Sequence, residues 1–158
     1  MSEHTITMTV NGRTVTQRAE GRMTLGDFLR EKAGQTGVHL ACEHGVCGAC
    51  TIMVDGLAVR SCLMFAVQAD GCEVTTVEGA ANSDGSLNPV QQAMRECHAL
   101  QCGFCTPGVV MTLTSLTQGE TKADETTLMN AMSGHLCRCT GYQGIRKAIK
   151  QLASGEAA

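Results

Sequence analysis

Ten of the 158 residues are cysteines, and eight of them fall into two sets spaced as metal ligands are. The first set begins in CEHGVCGAC, residues 42 to 50, and extends to Cys62, giving Cys42-x4-Cys47-x2-Cys50-x11-Cys62. Three close thiols with a distant fourth is the spacing of plant-type [2Fe–2S] sites. An oxidised cluster with four thiolates carries a formal double negative charge, which reduction makes triple. Gly45 and Gly48 answer that charge, because positive φ at such positions turns successive backbone N–H groups toward one point. Structural zinc fits less well, since it pairs two short knuckles and only Cys47 and Cys50 form one here. His44 makes half of a Rieske pair with Cys42, but no second half exists, so it reads as a solvated loop histidine. Haem attachment is excluded because neither CGAC nor CGFC is followed by histidine.

The second set is Cys102-x2-Cys105 in QCGFCTPG and Cys137-x-Cys139 in HLCRCTGYQG. CGFC before a proline-led helix has the form of a redox dithiol, whose pKa a helix N-terminus lowers. That reading lacks βαβ surroundings and leaves Cys137 and Cys139 without a role. Taken together, the four precede two predicted helices, whose N-termini offer N–H groups and positive dipole ends to an anionic centre. A second [2Fe–2S] cluster and a four-thiolate zinc both fit, and spacing alone does not separate them. Cys72 and Cys97 belong to neither set. Cys97 falls on the inward face of a predicted helix, where a small buried hydrophobe is expected, and Cys72 starts a strand, half exposed.

The elements that must position these thiols divide the chain. TITMTV (5–10) and RTVTQ (13–17) alternate around Asn11-Gly12, and TIMV (51–54) and LAVRS (57–61) around Asp55-Gly56, two hairpin signals. Thr24 caps a short predicted helix carrying Leu25, Phe28 and Leu29, with Asp27 three residues on. CEVTTVE (72–78) is a last strand, so residues 1–80 read as a small α+β sheet domain. The polar GAANSDGSLN (79–88) follows as a linker. Residues 81–158 then read as four helices forming a small bundle. Asn88-Pro89 opens the first, with Val90, Ala93, Met94, Cys97 and Leu100 inward; Pro107 opens the second, through about Thr117. Asp124 caps the third, with Leu128, Met129 and Met132 inward and Gly134 closing it. The fourth runs from about Gly141 to Leu152, with Arg146, Lys147 and Lys150 as its solvated basic end.

Other classes are excluded in turn. The polar, alternating N-terminus is not a secretory signal, and no run reaches the ~18 apolar residues of a membrane span. The expected setting is cytoplasmic and reducing, where clustered cysteines serve as ligands rather than disulfides. A net charge of −3 with interspersed signs gives no nucleic-acid footprint. No G-x-G-x-x-G or Walker motif is present, nor a nucleophile with an evident base, so the chain alone is not expected to turn over an organic substrate.

The order of CEHGVCGAC, a cysteine after a hairpin, QCGFCTPG and LCRCTGY resembles the small iron–sulfur subunit of the molybdenum hydroxylases, the xanthine oxidase family, over almost the whole chain. The resemblance implies a β-grasp, ferredoxin-like domain with one [2Fe–2S] cluster on Cys42, Cys47, Cys50 and Cys62. It implies a four-helix domain with a second on Cys102, Cys105, Cys137 and Cys139, and contacts from Gln101 and the Cys139 region to a molybdopterin cofactor. The partners implied are a large molybdopterin subunit and a medium FAD subunit, in a heterotrimer or its dimer. Ala41 stands where glycine is common in the family, and His135 where asparagine is common; neither change removes a ligand. Function follows as one-electron relay between the molybdenum cofactor and a flavin or other acceptor. Two alternatives accompany it: the same relay run inward in a reductase of the benzoyl-CoA type, and a colourless zinc-stabilised adaptor. Arg138, between two thiols of the second set, is expected to raise the potential of that site.

Overall fold

The computed structural model describes residues 2–118 and 123–155. Strands β1 (Glu3–Val10) and β2 (Arg13–Glu20) pair antiparallel from Val10↔Arg13 to Glu3↔Glu20. Asn11 (φ 50°) and Gly12 (φ 76°) make the two-residue turn, the conformation that Asn-Gly favours. Helix α1 (Leu25–Glu31) follows, its first turn closed by the Asp27 amide donating to the Thr24 hydroxyl at 3.1 Å. Strands β3 (Thr51–Val54) and β4 (Leu57–Arg60) form the second hairpin over Asp55 (φ 49°) and Gly56 (φ 80°).

Strand β5 (Glu73–Thr75) lies between the hairpins, parallel to β1 and antiparallel to β3, so the sheet order is β2-β1-β5-β3-β4. It is shorter than the expected 72–78. The amide of Thr76 is taken by the Asn11 side chain at 2.9 Å instead of by a strand, and Val77–Gly79 then turns as a 3-10 segment. Under the sheet, Ile6, Met8, Leu25, Phe28, Leu29, Ile52 and Val74 form one core.

Four further helices follow: α2 (Pro89–Glu96), α3 (Thr106–Thr117), α4 (Glu125–Met132) and α5 (Gln143–Ser154). The expected Asn88 and Asp124 caps both form. Two helix ends differ from expectation. Helix α2 stops at Glu96, and Leu100 lies beyond it, 45% exposed rather than inward. The cause is α5: the chain reverses at His98 (φ 48°), where the backbone of Cys97–Ala99 packs so closely on Gly144 that a methyl there would stand 2.7 Å from Cys97 O. Helix α4 is closed by amides of Ser133 and Gly134 on Asn130 and Ala131 carbonyls, not by a left-handed Gly134.

Helix α3 is the centre of this half. Residues 108–114 are buried on every side because α3 packs on β3 and β4 as well as on α2 and α4. All four residues of β3 are correspondingly buried: Ile52 and Val54 join the sheet core, while Met53 joins the helical core with Val109, Met111 and Leu113. The result, among the described residues, is an α+β fold of one five-stranded sheet and five α-helices in which the sheet half and the helical half share a packed seam.

Candidate metal centres

The β3–β4 hairpin explains how the first thiol set meets. Cys50 precedes β3 and Ser61 follows β4, and the register Thr51↔Arg60 brings Cys50 opposite Ser61, whose hydroxyl donates to Cys50 O at 2.8 Å. Cys62 is thereby carried back beside Cys50, both buried. The loop before β3 supplies the other two thiols. Gly45 (φ 80°) and Gly48 (φ 78°) adopt the positive φ expected of them, joined by Glu43 (φ 56°). The turned backbone aims amides of Cys47, His44 and Val46 at Cys42, which hold its thiol down at about 6; the Cys47 amide stands 3.4 Å from Cys42 Sγ. Burial, with Cys50 alongside, pushes Cys62 up to about 11. The thiols thus come as two neighbouring pairs, Cys42 with Cys47 and Cys50 with Cys62.

The second set repeats this pairing. Cys139 Sγ donates to Cys102 Sγ at 3.4 Å, both at the surface, while Cys105 and Cys137 lie together further in. Cys105 is the N-cap of α3, which begins at Thr106, one residue before the expected Pro107. Cys137 and Cys139 stand on a loop ahead of α5 rather than on its first turn. Burial, then the Cys137 thiol beside it, pushes Cys105 up to about 12. Burial also acts to raise Cys137, but the Thr140 hydroxyl at 3.1 Å and its amide at 3.5 Å bring that thiol down to about 7. The Phe104 amide lowers Cys102, and the Cys102 thiol raises Cys139. Tyr142 (φ 64°) buttresses the loop: its hydroxyl accepts from the Cys137 amide at 2.8 Å and donates to His135 O at 3.2 Å.

Among the described residues no three His, Cys, Asp or Glu side chains gather as for a single ion. The two pairs of thiols at each place instead match, in number and type, the four-thiolate donor set that a two-iron cluster takes. His44 is exposed, as are Gln101 and Arg138. Cys97 packs against the helical core and donates to Gln151 Oε1 at 3.2 Å, and Cys72 is half-buried near Gln68.

Sequence reasoning missed the seam that joins the two sets. The Leu136 amide donates to Cys47 O at 2.9 Å, so neighbours of one set bond directly to neighbours of the other. Helix α3 meets the first loop where a methyl on Gly108 would stand 2.1 Å from Gly48 O. His39 stacks on Phe104, with ring centroids 4.8 Å apart, and its Nδ1 lies 2.8 Å from Phe104 O. Arg60 donates to Gly134 O at 2.7 Å and reaches Thr51 and His135. His135 is 2% exposed, with Nε2 2.8 Å from the Thr112 hydroxyl and Nδ1 unpartnered. Burial and then Arg60 push this imidazole down to about 4. Only the hairpin register, which sets Arg60 opposite Thr51, was available in advance to find any of these contacts.

Two structural classes of iron–sulfur domain account for the chain. Residues 8–74 match the family described as "2Fe-2S iron-sulfur cluster binding domain", and residues 76–150 that described as "[2Fe-2S] binding domain". Caffeine dehydrogenase subunit gamma of Pseudomonas sp. (strain CBB1) is 51% identical over 156 residues, covering 97% of this chain and 93% of that subunit. Nicotine 6-hydroxylase small subunit of Paenarthrobacter nicotinovorans is 51% identical over 144 residues, covering 91% and 86%. In the crystal structure of quinoline 2-oxidoreductase from Pseudomonas putida 86, one chain superposes with a TM-score of 0.86 at 44% identity, covering 98% of this chain and 99% of that one. The chain belongs to the small iron–sulfur subunits of the molybdenum hydroxylase family.

Proposed function

We propose that this chain relays electrons, one at a time, between a molybdopterin cofactor on a large subunit and FAD or another acceptor on a further subunit, in a cytoplasmic heterotrimer or its dimer. The observation that carries the reading is the pairing of the eight thiols into two sets bridged at the seam by the Cys47 O to Leu136 N hydrogen bond. When bound, each [2Fe–2S] cluster takes up and gives up one electron without moving atoms far. Cys42, Cys47, Cys50 and Cys62 would hold one cluster on a β-grasp domain of residues 1–80. Cys102, Cys105, Cys137 and Cys139 would hold the other on a four-helix domain of residues 81–158.

The chain's own groups prepare both places for an anionic occupant. Inward amides of the 42–47 loop stabilise thiolate at Cys42, and Thr140 does so at Cys137. Each place also has an exposed side: Cys102 and Cys139 reach the surface beside Gln101, flanked by the exposed Leu100, Phe104 and Leu136. This side suits the large subunit, with Gln101 and Cys139 toward the pterin. Val46, Leu63 and Phe65, exposed around the first set, suit the acceptor subunit. Low-temperature EPR of the dithionite-reduced complex tests the reading: two distinguishable spin-one-half signals totalling about two spins per chain are expected. A colourless, EPR-silent protein with bound zinc would overturn it.

A further inference from the structure

The seam between the two thiol sets holds a guanidinium that no carboxylate among the described residues pairs with. Arg60 is half-buried at the end of β4, two residues before Cys62. Its Nη2 donates to Gly134 O at 2.7 Å, in the turn leading to Cys137. Its Nη1 donates to the Thr51 hydroxyl, next to Cys50, and lies 3.4 Å from His135 Nε2. The Thr51 hydroxyl in turn donates to Gly48 O at 2.7 Å, in the loop that carries Cys47 and Cys50. One side chain is therefore bonded to the backbone or side chains next to ligands of both sets.

Among the described residues the ion pairs are Arg18 with Glu3 and Arg22 with Glu20, on or just past the β1–β2 hairpin, and Arg60 has no ion-pair partner. A guanidinium withdrawn from water keeps its proton and is costly without a counter-charge. The charge that would offset it is that of the two clusters whose neighbouring backbone it bonds, since each four-thiolate [2Fe–2S] centre, when bound, is anionic and gains a further negative charge when its iron is reduced. We propose that Arg60 is a positioning residue shared by the two iron–sulfur sites: it clamps their loops together and supplies one fixed positive charge that favours the reduced form of both. The physical basis is the Coulomb attraction of a fixed cation for an added electron in a partly dry seam, an outer-sphere influence of the kind that tunes metal centres.

This inference rests on the relay reading, and its test separates the two. In the assembled complex, wild type, Arg60→Gln and Arg60→Lys are compared by spin-integrated EPR and by potentiometric titration of each signal. Arg60→Gln is expected to move both midpoint potentials downward, and Arg60→Lys, which keeps the charge, to leave both near wild type. Unchanged potentials in Arg60→Gln, or movement of one signal alone, would overturn the shared role. If Arg60→Gln does not take up both clusters, Arg60→Lys decides: two clusters at wild-type potentials support the proposal, whereas lost clusters or displaced potentials overturn it. Wild-type protein without two signals would instead overturn the relay reading, and this inference with it.

Discussion

At the scale of single residues, the eight thiols were legible because their spacing is set by the metals they suit, whereas the groups across the seam carry no spacing at all. Nothing in HLCRC tells that His135 sits 2% exposed beside Arg60. Its consequence is a pH dependence. The imidazole is pushed down to about 4 by burial and by Arg60, while an unfolded chain titrates it near 6.5. Between those values the unfolded state binds a proton that the folded state refuses, so this contribution is full above pH 6.5 and is lost as pH falls toward 4, to the extent of about 3 kcal/mol. Urea midpoints at pH 7 and pH 4.5 should therefore fall less in His135→Asn than in wild type, and an equal fall in both would show the group to be irrelevant. Cys105 gives the second prediction. As the most buried thiol of its set, Cys105→Ser is expected to abolish one EPR signal and turnover while the other signal survives. Joint loss of both signals would mean that the seam, and not the ligand alone, was broken.

At the scale of elements, the hairpins were read correctly because Asn11-Gly12 and Asp55-Gly56 specify their own turns, and the caps at Thr24, Asn88 and Asp124 because a polar side chain there has a free amide to accept from. The misread ends of α2 and β5 were decided by tertiary neighbours, Gly144 and Asn11, which local pattern does not contain. Asn88 does more than cap: besides accepting from the Gln91 amide at 2.8 Å, its Nδ2 donates to Ala80 O at 2.7 Å, joining α2 to the start of the linker segment. Asn88→Ala should cost about 2 kcal/mol, the upper range for a cap, because a buried carbonyl also loses its donor. Thermal unfolding of the two proteins measures it, and a loss of a few tenths would show that water replaces the side chain. Gly108→Ala is expected to be worse, since α3 cannot admit a methyl 2.1 Å from Gly48 O without withdrawing from the first cysteine loop. Overpacking of this kind costs about 1–3 kcal/mol, and here it should also lower the occupancy of both clusters, read as iron per chain.

At the scale of the whole molecule, the change from strand pattern to helix pattern along the chain was legible in the turn and cap residues, but the packing of α3 on β3 was not. TIMV alternates only weakly, and no sequence pattern says that Met53 belongs to the helical core while Ile52 and Val54 belong to the sheet. A chain ended at Ala80 leaves that face of β3 and the Cys47 carbonyl to water, so its sheet half should unfold at a lower temperature than in the full chain; equal melting temperatures would show that the seam adds nothing. The two-sided burial of β3 also orders events during synthesis. All four thiols of the first set have been made by residue 62, yet the helix that covers the back of β3 is complete only at residue 117. Over that interval of synthesis the first thiol set is complete in sequence while the helical side of β3 is still uncovered. Slowing the ribosome between these points would lengthen the time for which that face of β3 has no helix to pack on.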